Sequence, residues 1–509
     1  MADRLPQATA GSQPADAHGR GDGEPTGEVL RATDRPAGTT RDGGEGSRPA
    51  TDAGSPEATA IAEAPDRRPL LGRFGWWLVA ISLGALAARL AYLVGWRTPW
   101  EVAGDPFYYH HGANLLADGE GYVQPHLFVL DGMREPGADH PPAFLTVLAG
   151  FSWLGFRSFF SHQVIGTLLG TLGVAAIGLA GRRIAGERVG LIAAGLAAVS
   201  PNLFFFDAAV LSETLVVLAT AIVLLAAYRW WDRPSLAMAA VFGLAVGAAA
   251  LVRSELLLLG PAIAVPLLWW RRDRGREERQ LLPRLRQLAV VGAAAAAVIA
   301  PWVGYNLARF EEPTTLSLQI GATLGAANCD DVYYGDLLGY WNNACNVRVD
   351  HLVGEGDSSE RAAGFARIAR QYVGDNAGRV PSVVAARVGR TFGVFAPRQQ
   401  IDLDFAVESK ERPLGQAGML MWYVVAAAAV AGLATLRRAG RPIFPIVATV
   451  ASVTVTVAVV YGATRFRLPA EVVLLIPAAV ALDAGLRAAH RRWRAWRGAA
   501  EVNAGRAVP

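Results

Sequence analysis

Two short stretches of this chain hold side chains able to do chemistry beside apolar sequence. Gly104-Asp105-Pro106-Phe107-Tyr108-Tyr109 sets a carboxylate among aromatic rings, and Asp139-His140-Pro141-Pro142 follows with an imidazole. Both lie in one loop that begins and ends at a hydrophobic block. Ionisable groups at a membrane boundary are costly to hold unless they are paired or used. Others recur at similar boundaries: Ser212-Glu213, Arg253-Ser254-Glu255, Asn306 after Pro301-Trp302, and Arg465-Phe466-Arg467. A carboxylate can take a proton from a hydroxyl or amine, or hold a divalent cation. Arginines bind phosphate through planar, charge-assisted hydrogen bonds.

Each of these side chains also has a plain structural role open to it. Asp105 before proline suits a turn or helix cap, and His140 before two prolines suits a helix start. Arg253 can pair with Glu255 or reach the headgroups, and Arg465 and Arg467 can anchor at a membrane surface. Glu213 sits in apolar sequence with no basic residue four positions on, so a local pair is harder to draw. His110, His111 and His126 lack the usual metal-ligand spacing and read as solvated loop histidines.

The elements that must position these groups are membrane helices. The chain has 509 residues, of which 52% are apolar and 18% charged, and apolar runs of spanning length recur from about residue 75 onward. Candidate spans lie near 75–96, 162–181, 189–207, 210–228, 236–252, 255–270, 287–305, 414–436, 443–462 and 468–486. The fold class expected is therefore an all-α polytopic membrane bundle of about ten, or ten to twelve, helices. Residues 143–156 are apolar but too short to cross, and read as an interfacial or re-entrant helix or as part of one long tilted helix. The net charge of +4 is no nucleic-acid signature, because the arginines sit in short clusters between apolar blocks. Lys410 is the only lysine.

Charge bias orients the bundle. Arg67, Arg68 and Arg73 precede the first span, while Arg182, Arg183, Arg188, Arg229, Arg233, the Arg271–Arg276 run, Arg437, Arg438, Arg441 and the Arg491–Arg494 tail mark later turns. All fall on one side if ten helices cross, which makes both termini cytoplasmic and the loop 97–141 external. The domains expected are a disordered cytoplasmic tail over 1–68, an N-terminal transmembrane module over 69–305, and an external subdomain over 306–413. The C-terminal helices 414–486 and a basic cytoplasmic tail 487–509 complete them. Cys329 and Cys345 both fall in the external subdomain, where an oxidising compartment favours a disulfide.

On this topology the chemical candidates converge on the external face. A substrate with a phosphate at the interface and a hydrocarbon tail in the bilayer fits them, as a polyprenyl-phosphate-linked sugar would. Membrane lipids are the other expected partners. A transporter or flippase of a lipid-linked or anionic solute is the alternative. It would be expected to carry two-fold repeats with polar groups near the midplane, and no repeat is evident in the sequence.

Taken in order, Gly104-Asp105 with Tyr109, His140-Pro141-Pro142, Ser212-Glu213, Arg253, Pro301-Trp302 with Asn306, and Arg465-Phe466-Arg467-Leu468-Pro469 resemble a known group. It is the GT-C glycosyltransferases, in the bacterial branch related to protein O-mannosyltransferases and the lipid A aminoarabinose transferase. The resemblance implies a multi-helix fold with juxtamembrane helices in the first external loop, and sugar transfer from a polyprenyl phosphate with inversion. It implies Asp105 and Glu213 as the catalytic carboxylates, or as anchors of a divalent cation if one is used. By the same analogy His140, Arg253, Arg465 and Arg467 would contact the donor phosphate, and Tyr109 and Asn306 the substrate. Where the aminoarabinose enzyme carries a lysine before its Pro-Pro pair, this chain carries His140. A large C-terminal soluble domain is lacking, so the acceptor is not implied. The cellular setting expected is a bacterial cell membrane.

Overall fold

The computed structural model describes residues 72–97, 104–270 and 280–505, with side chains described to residue 497. The expected 1–68 tail and the whole Arg271–Arg276 cluster lie outside these residues.

Every apolar block expected to cross the membrane forms a helix. They are α1 (Arg73–Gly95), α5 (Phe159–Ala185), α6 (Glu187–Val199) with α7 (Pro201–Asp207), and α8 (Glu213–Asp232). Then come α9 (Leu236–Val252), α10 (Leu259–Trp269), α11 (Leu281–Leu307), α18 (Arg412–Arg438), α19 (Phe444–Val459) and α20 (Leu468–Gly505). By length and hydropathy six of the described helices can cross a membrane alone, and α6 with α7, bent by 62° at Ser200-Pro201, makes a seventh. The bend follows from Pro201, which cannot continue the hydrogen-bond ladder of α6 but fits the first turn of a new helix. The segments 236–252, 254–269 and 444–459 are shorter apolar helices.

Outward faces of α1 and α11 remain apolar and uncovered: Trp76, Trp77, Leu83 and Val94 on the first, Leu281, Leu282 and Leu285 on the second. Such faces suit lipid rather than water. The charge in the middle of α1 turns inward instead. Arg89 of α1 is buried and donates to Asp207 at 2.7 Å, an internal pair rather than a lipid-facing charge. Small residues let helices approach. A Cβ at Gly432 of α18 would overlap the carbonyl of Pro477 in α20, so these two long helices meet backbone to backbone there.

Between the first two long helices lie α2 (Gly104–Ala117), α3 (Pro125–Asp131) and α4 (Ala143–Trp153). The apolar stretch near 143–156 is thus a separate short helix of 11 residues, about 16 Å long at the α-helical rise. It packs on α2 through Leu145 against Gly112. The region after α11 folds into α12 (Gln319–Ala326), α13 (Asp330–Tyr333), α14 (Ala344–Val353), α15 (Ser358–Asp375), α16 (Val380–Thr391) and α17 (Pro397–Glu408). Cys329 and Cys345 are joined in a disulfide, as the sequence led us to expect. No strand occurs among the described residues beyond one isolated bridge, Val123 to Pro136.

Candidate active site

The site is built where helices begin or break, because those are the places where a buried backbone can present a charge. Asp105 stands in the first turn of α2, after Gly104 in the left-handed region at φ 70°. Glu213 is the first residue of α8. Just before it, buried Val210 has φ 54°, a conformation that costs a β-branched residue on the order of 1–3 kcal/mol and is retained where packing dictates it. Arg253 caps the end of α9 in extended conformation, ahead of a 3₁₀ turn, Ser254–Leu258. Arg465 lies in the 3₁₀ turn Thr464–Arg467 that opens α20. His140 precedes the prolines that lead into α4.

These side chains, far apart in sequence, close into one hydrogen-bonded chain. Arg465 Nη2 donates to Asp105 Oδ2 at 2.8 Å while its Nε donates to Glu213 Oε1 at 2.6 Å. Arg253 Nη1 donates to the same Glu213 oxygen at 2.7 Å, and its Nε to Glu255 at 2.7 Å. His140 Nε2 stands 3.2 Å from Asp105 Oδ1. Tyr109 stacks on the His140 ring at 5.1 Å and fixes its plane. Burial alone would raise the Asp105 carboxyl, yet His140 and Arg465 together hold it well below the usual range.

A small open pocket lies beside the arginines. Glu213, Arg253, Glu255 and Arg465 form its polar end, and Val216, Leu256, Leu259 and Val453 carry it along α8, α10 and α19. Thr449, Ser452 and Thr456 line one wall, but their hydroxyls bond to carbonyls of their own helix where the bonds are resolved, as Thr449 does to Pro445 at 2.9 Å. That wall is thus less polar than its residue types imply.

Two of the expected site residues lie elsewhere. Arg467 is fully buried, donates to Glu471 at 2.5 Å and to the Thr391 carbonyl at 3.2 Å, and turns away from Asp105. Asn306 binds the Thr315 carbonyl at 2.7 Å and accepts from Arg309 at 2.9 Å. Arg309 in turn holds the carbonyls of Tyr122 and Gly137 at 2.5 and 2.7 Å, so the pair braces the first loop. His110 is buried rather than solvated, with its Nδ1 3.1 Å from Nδ1 of His162. Its neighbour Ser152 sits 2.9 Å from His162 Nε2. One carboxylate had no signal in the sequence reading: Glu408 lies 3.6 Å from Arg465 Nη1.

A divalent cation fits this arrangement poorly. Arg465 stands between Asp105 and Glu213 and takes one oxygen of each, so a cation bridging them would have to displace the guanidinium. Cys329, Asp331 and Cys345 bring ligand atoms within 4.8 Å of one another, but the sulfurs are bonded together and are not thiolate donors in that state.

Residues 139–305 match the family described as dolichyl-phosphate-mannose-protein mannosyltransferase. The likeness to protein mannosyltransferases read from the motifs is met over that stretch. The matched stretch is about a third of the chain and holds His140, Glu213 and Arg253, while Asp105 and Arg465 lie outside it. No curated protein matches the chain. Among solved structures it is similar to the apo oligosaccharyltransferase of Archaeoglobus fulgidus, at 16% identity and a TM-score of 0.46, over 84% of this chain and 52% of that one. The Archaeoglobus fulgidus oligosaccharyltransferase AglB with an inhibitory peptide and a dolichol-phosphate gives 16% and 0.45, over 83% and 52%. ArnT from Cupriavidus metallidurans bound to undecaprenyl phosphate gives 14% and 0.37, over 81% and 78%. The chain spans about half the length of the oligosaccharyltransferases it resembles.

Proposed function

We propose that this chain is a membrane glycosyltransferase that moves a sugar from a polyprenyl-phosphate-linked donor to a cell-envelope acceptor. One observation carries the reading. Arg253 and Arg465 meet the carboxylates of Glu213 and Glu255 at the polar end of a pocket whose other walls are mostly apolar faces of membrane helices, and Arg465 reaches from it to Asp105. An anionic headgroup on a hydrocarbon tail satisfies both halves of that pocket. The family match over 139–305 supports the same class of donor, since that family is described by its dolichyl-phosphate-mannose chemistry.

The geometry gives each residue a task. Arg253 and Arg465 hold the donor phosphate and stabilise the charge that grows on it as the sugar leaves. When Arg465 turns an N–H toward that phosphate, Asp105 loses the shorter of its two side-chain hydrogen bonds and becomes more basic. It then takes the proton of the acceptor as the acceptor attacks the anomeric carbon. The bond from that carbon to the phosphate oxygen breaks, and the electron pair departs with the phosphate. A single displacement of this kind inverts the anomeric centre. Glu213 keeps both arginines in register, and His140, clamped by Tyr109, steadies Asp105. The arginine-rich turns and the disulfide support an external site with both termini cytoplasmic, in a bacterial cell membrane. They also support ten crossings, with the three shorter apolar helices and the bent pair each crossing once.

The test is transfer of radiolabelled sugar from polyprenyl phosphates to envelope extracts by the purified protein in liposomes. Asp105→Asn is expected to lower the rate at least about a hundredfold. Transfer surviving that change would sink the catalytic assignment, and absence of transfer from any lipid-linked sugar would sink the function.

A further inference from the structure

Arg465 meets a third carboxylate that the transfer chemistry leaves unused. Glu408 ends α17, its side chain is only 8% exposed, and its Oε1 lies 3.6 Å from Arg465 Nη1. Its other oxygen, Oε2, is buried with no hydrogen-bond partner among the described residues. An ionised carboxylate left in that state is expensive.

The turn that puts it there is itself held under constraint. Ser409, next in sequence, adopts φ 52°. Its carbonyl accepts from Arg97 Nη1 at 2.7 Å, and Glu411 accepts from the Tyr92 hydroxyl at 2.7 Å. Lys410, the only lysine of the chain, is buried with its ammonium 2.8 Å from Asn202 Oδ1. So α1, α7 and the start of α18 jointly fix where Glu408 stands.

We infer that Glu408 is a positioning residue whose charge state sets how strongly Arg465 attracts an anionic phosphate. Neutral Glu408 leaves Arg465 with two ionised partners, Asp105 and Glu213; ionised Glu408 adds a third negative charge beside the same guanidinium. Burial pushes the Glu408 carboxyl up to about 8, against the lowering effect of Arg465, so the change of state falls near physiological pH. The groups that face it are Asp404 from its own helix, Lys410 after it, Glu213 from α8 and Arg465 from the turn before α20. The hydroxyls of Tyr340 and Tyr461 face it from the external region and from beyond α19. The direction follows: raising pH through about 8 ionises Glu408 and weakens phosphate binding.

This inference rests on the lipid-phosphate reading above, and the test separates the two. The probe is farnesyl methyl phosphate, a phosphodiester with no second ionisation of its own, titrated calorimetrically into the purified full chain in detergent at pH 7 and pH 9, about one unit either side of the Glu408 value. Wild type is expected to bind about tenfold more weakly at the higher pH, the size of one added charge at close range in a partly shielded site. Glu408→Gln, which keeps shape and cannot ionise, is expected to bind with no such pH dependence. If wild type binds equally at both values, the inference is overturned with no variant needed. It is also overturned if the fall persists in Glu408→Gln, which would assign the titration to a neighbouring group such as Lys410 or Tyr461. No binding by wild type at either pH would overturn the lipid-phosphate reading and this inference with it.

Discussion

Arg465 is the single contact point between groups that the chain keeps far apart: Asp105 on α2, Glu213 on α8 and Glu408 on α17. Removing it leaves carboxylates close together with little water to screen them, the situation in which breaking an ion pair costs most. Arg465→Ala is therefore expected to lower stability by about 3 kcal/mol and to abolish phosphate binding. Arg465→Lys, with a point charge in place of a fork, should recover most of the stability but little of the binding. Thermal unfolding beside calorimetry reads the two effects separately, and a lysine variant that binds like wild type would show that the guanidinium's forked geometry is not needed for phosphate binding. Asp105, His140, Glu213, Arg253 and Arg465, which the structure brings together, could be picked out as candidates in the sequence because each is an ionisable group at an apolar boundary. Arg467 looked equivalent to Arg465, yet a 3₁₀ turn rotates successive residues by about a third of a turn, so residues two apart face different sides. Glu408 left no trace, since only the return of α17 toward α20 brings it to Arg465.

At the scale of elements, the site depends on interrupted helices more than on long ones. The breaks at Arg253 and Ala463 fall where the expected spans end, at 252 and 462, but apolar periodicity registers the blocks and is silent about the shape of the turns there and at Val210. The short helix α4 shows the same limit. Its apolar character was plain, but its independence from α5 depends on the turn through Gly155, at φ 98°. The disulfide was read from compartment logic, and it closes a 16-residue separation around α13. Cys345→Ser is expected to remove about 3 kcal/mol from the local stability of that unit. Limited proteolysis should then cut near residues 334–343 in the variant and not in wild type. Equal cleavage would mean that α12, α15 and α16 hold the unit without the bond.

At the scale of the whole molecule, helices set how many times the chain crosses, and arginines set which way. The three shorter apolar helices decide the matter, because if any of them fails to cross, the arginine clusters after it change sides. The site would be divided with them. Asp105 follows the first span, whereas Arg465 follows nine of the ten proposed crossings, yet the two side chains are 2.8 Å apart. They can share a face only if the number of crossings between them is even. Eight crossings between α2 and the turn before α20 satisfy this when α5, the bent pair, α8, α9, α10, α11, α18 and α19 each cross once. The parity is tested by placing one cysteine at Glu120 and, in a separate protein, one at Gly440. A membrane-impermeant maleimide applied to intact cells is expected to label the first and not the second, with the second labelled only after permeabilisation. Labelling of both in intact cells would mean an even count between them in place of the proposed seven, and the ten-helix path would have to be redrawn around α9 and α10.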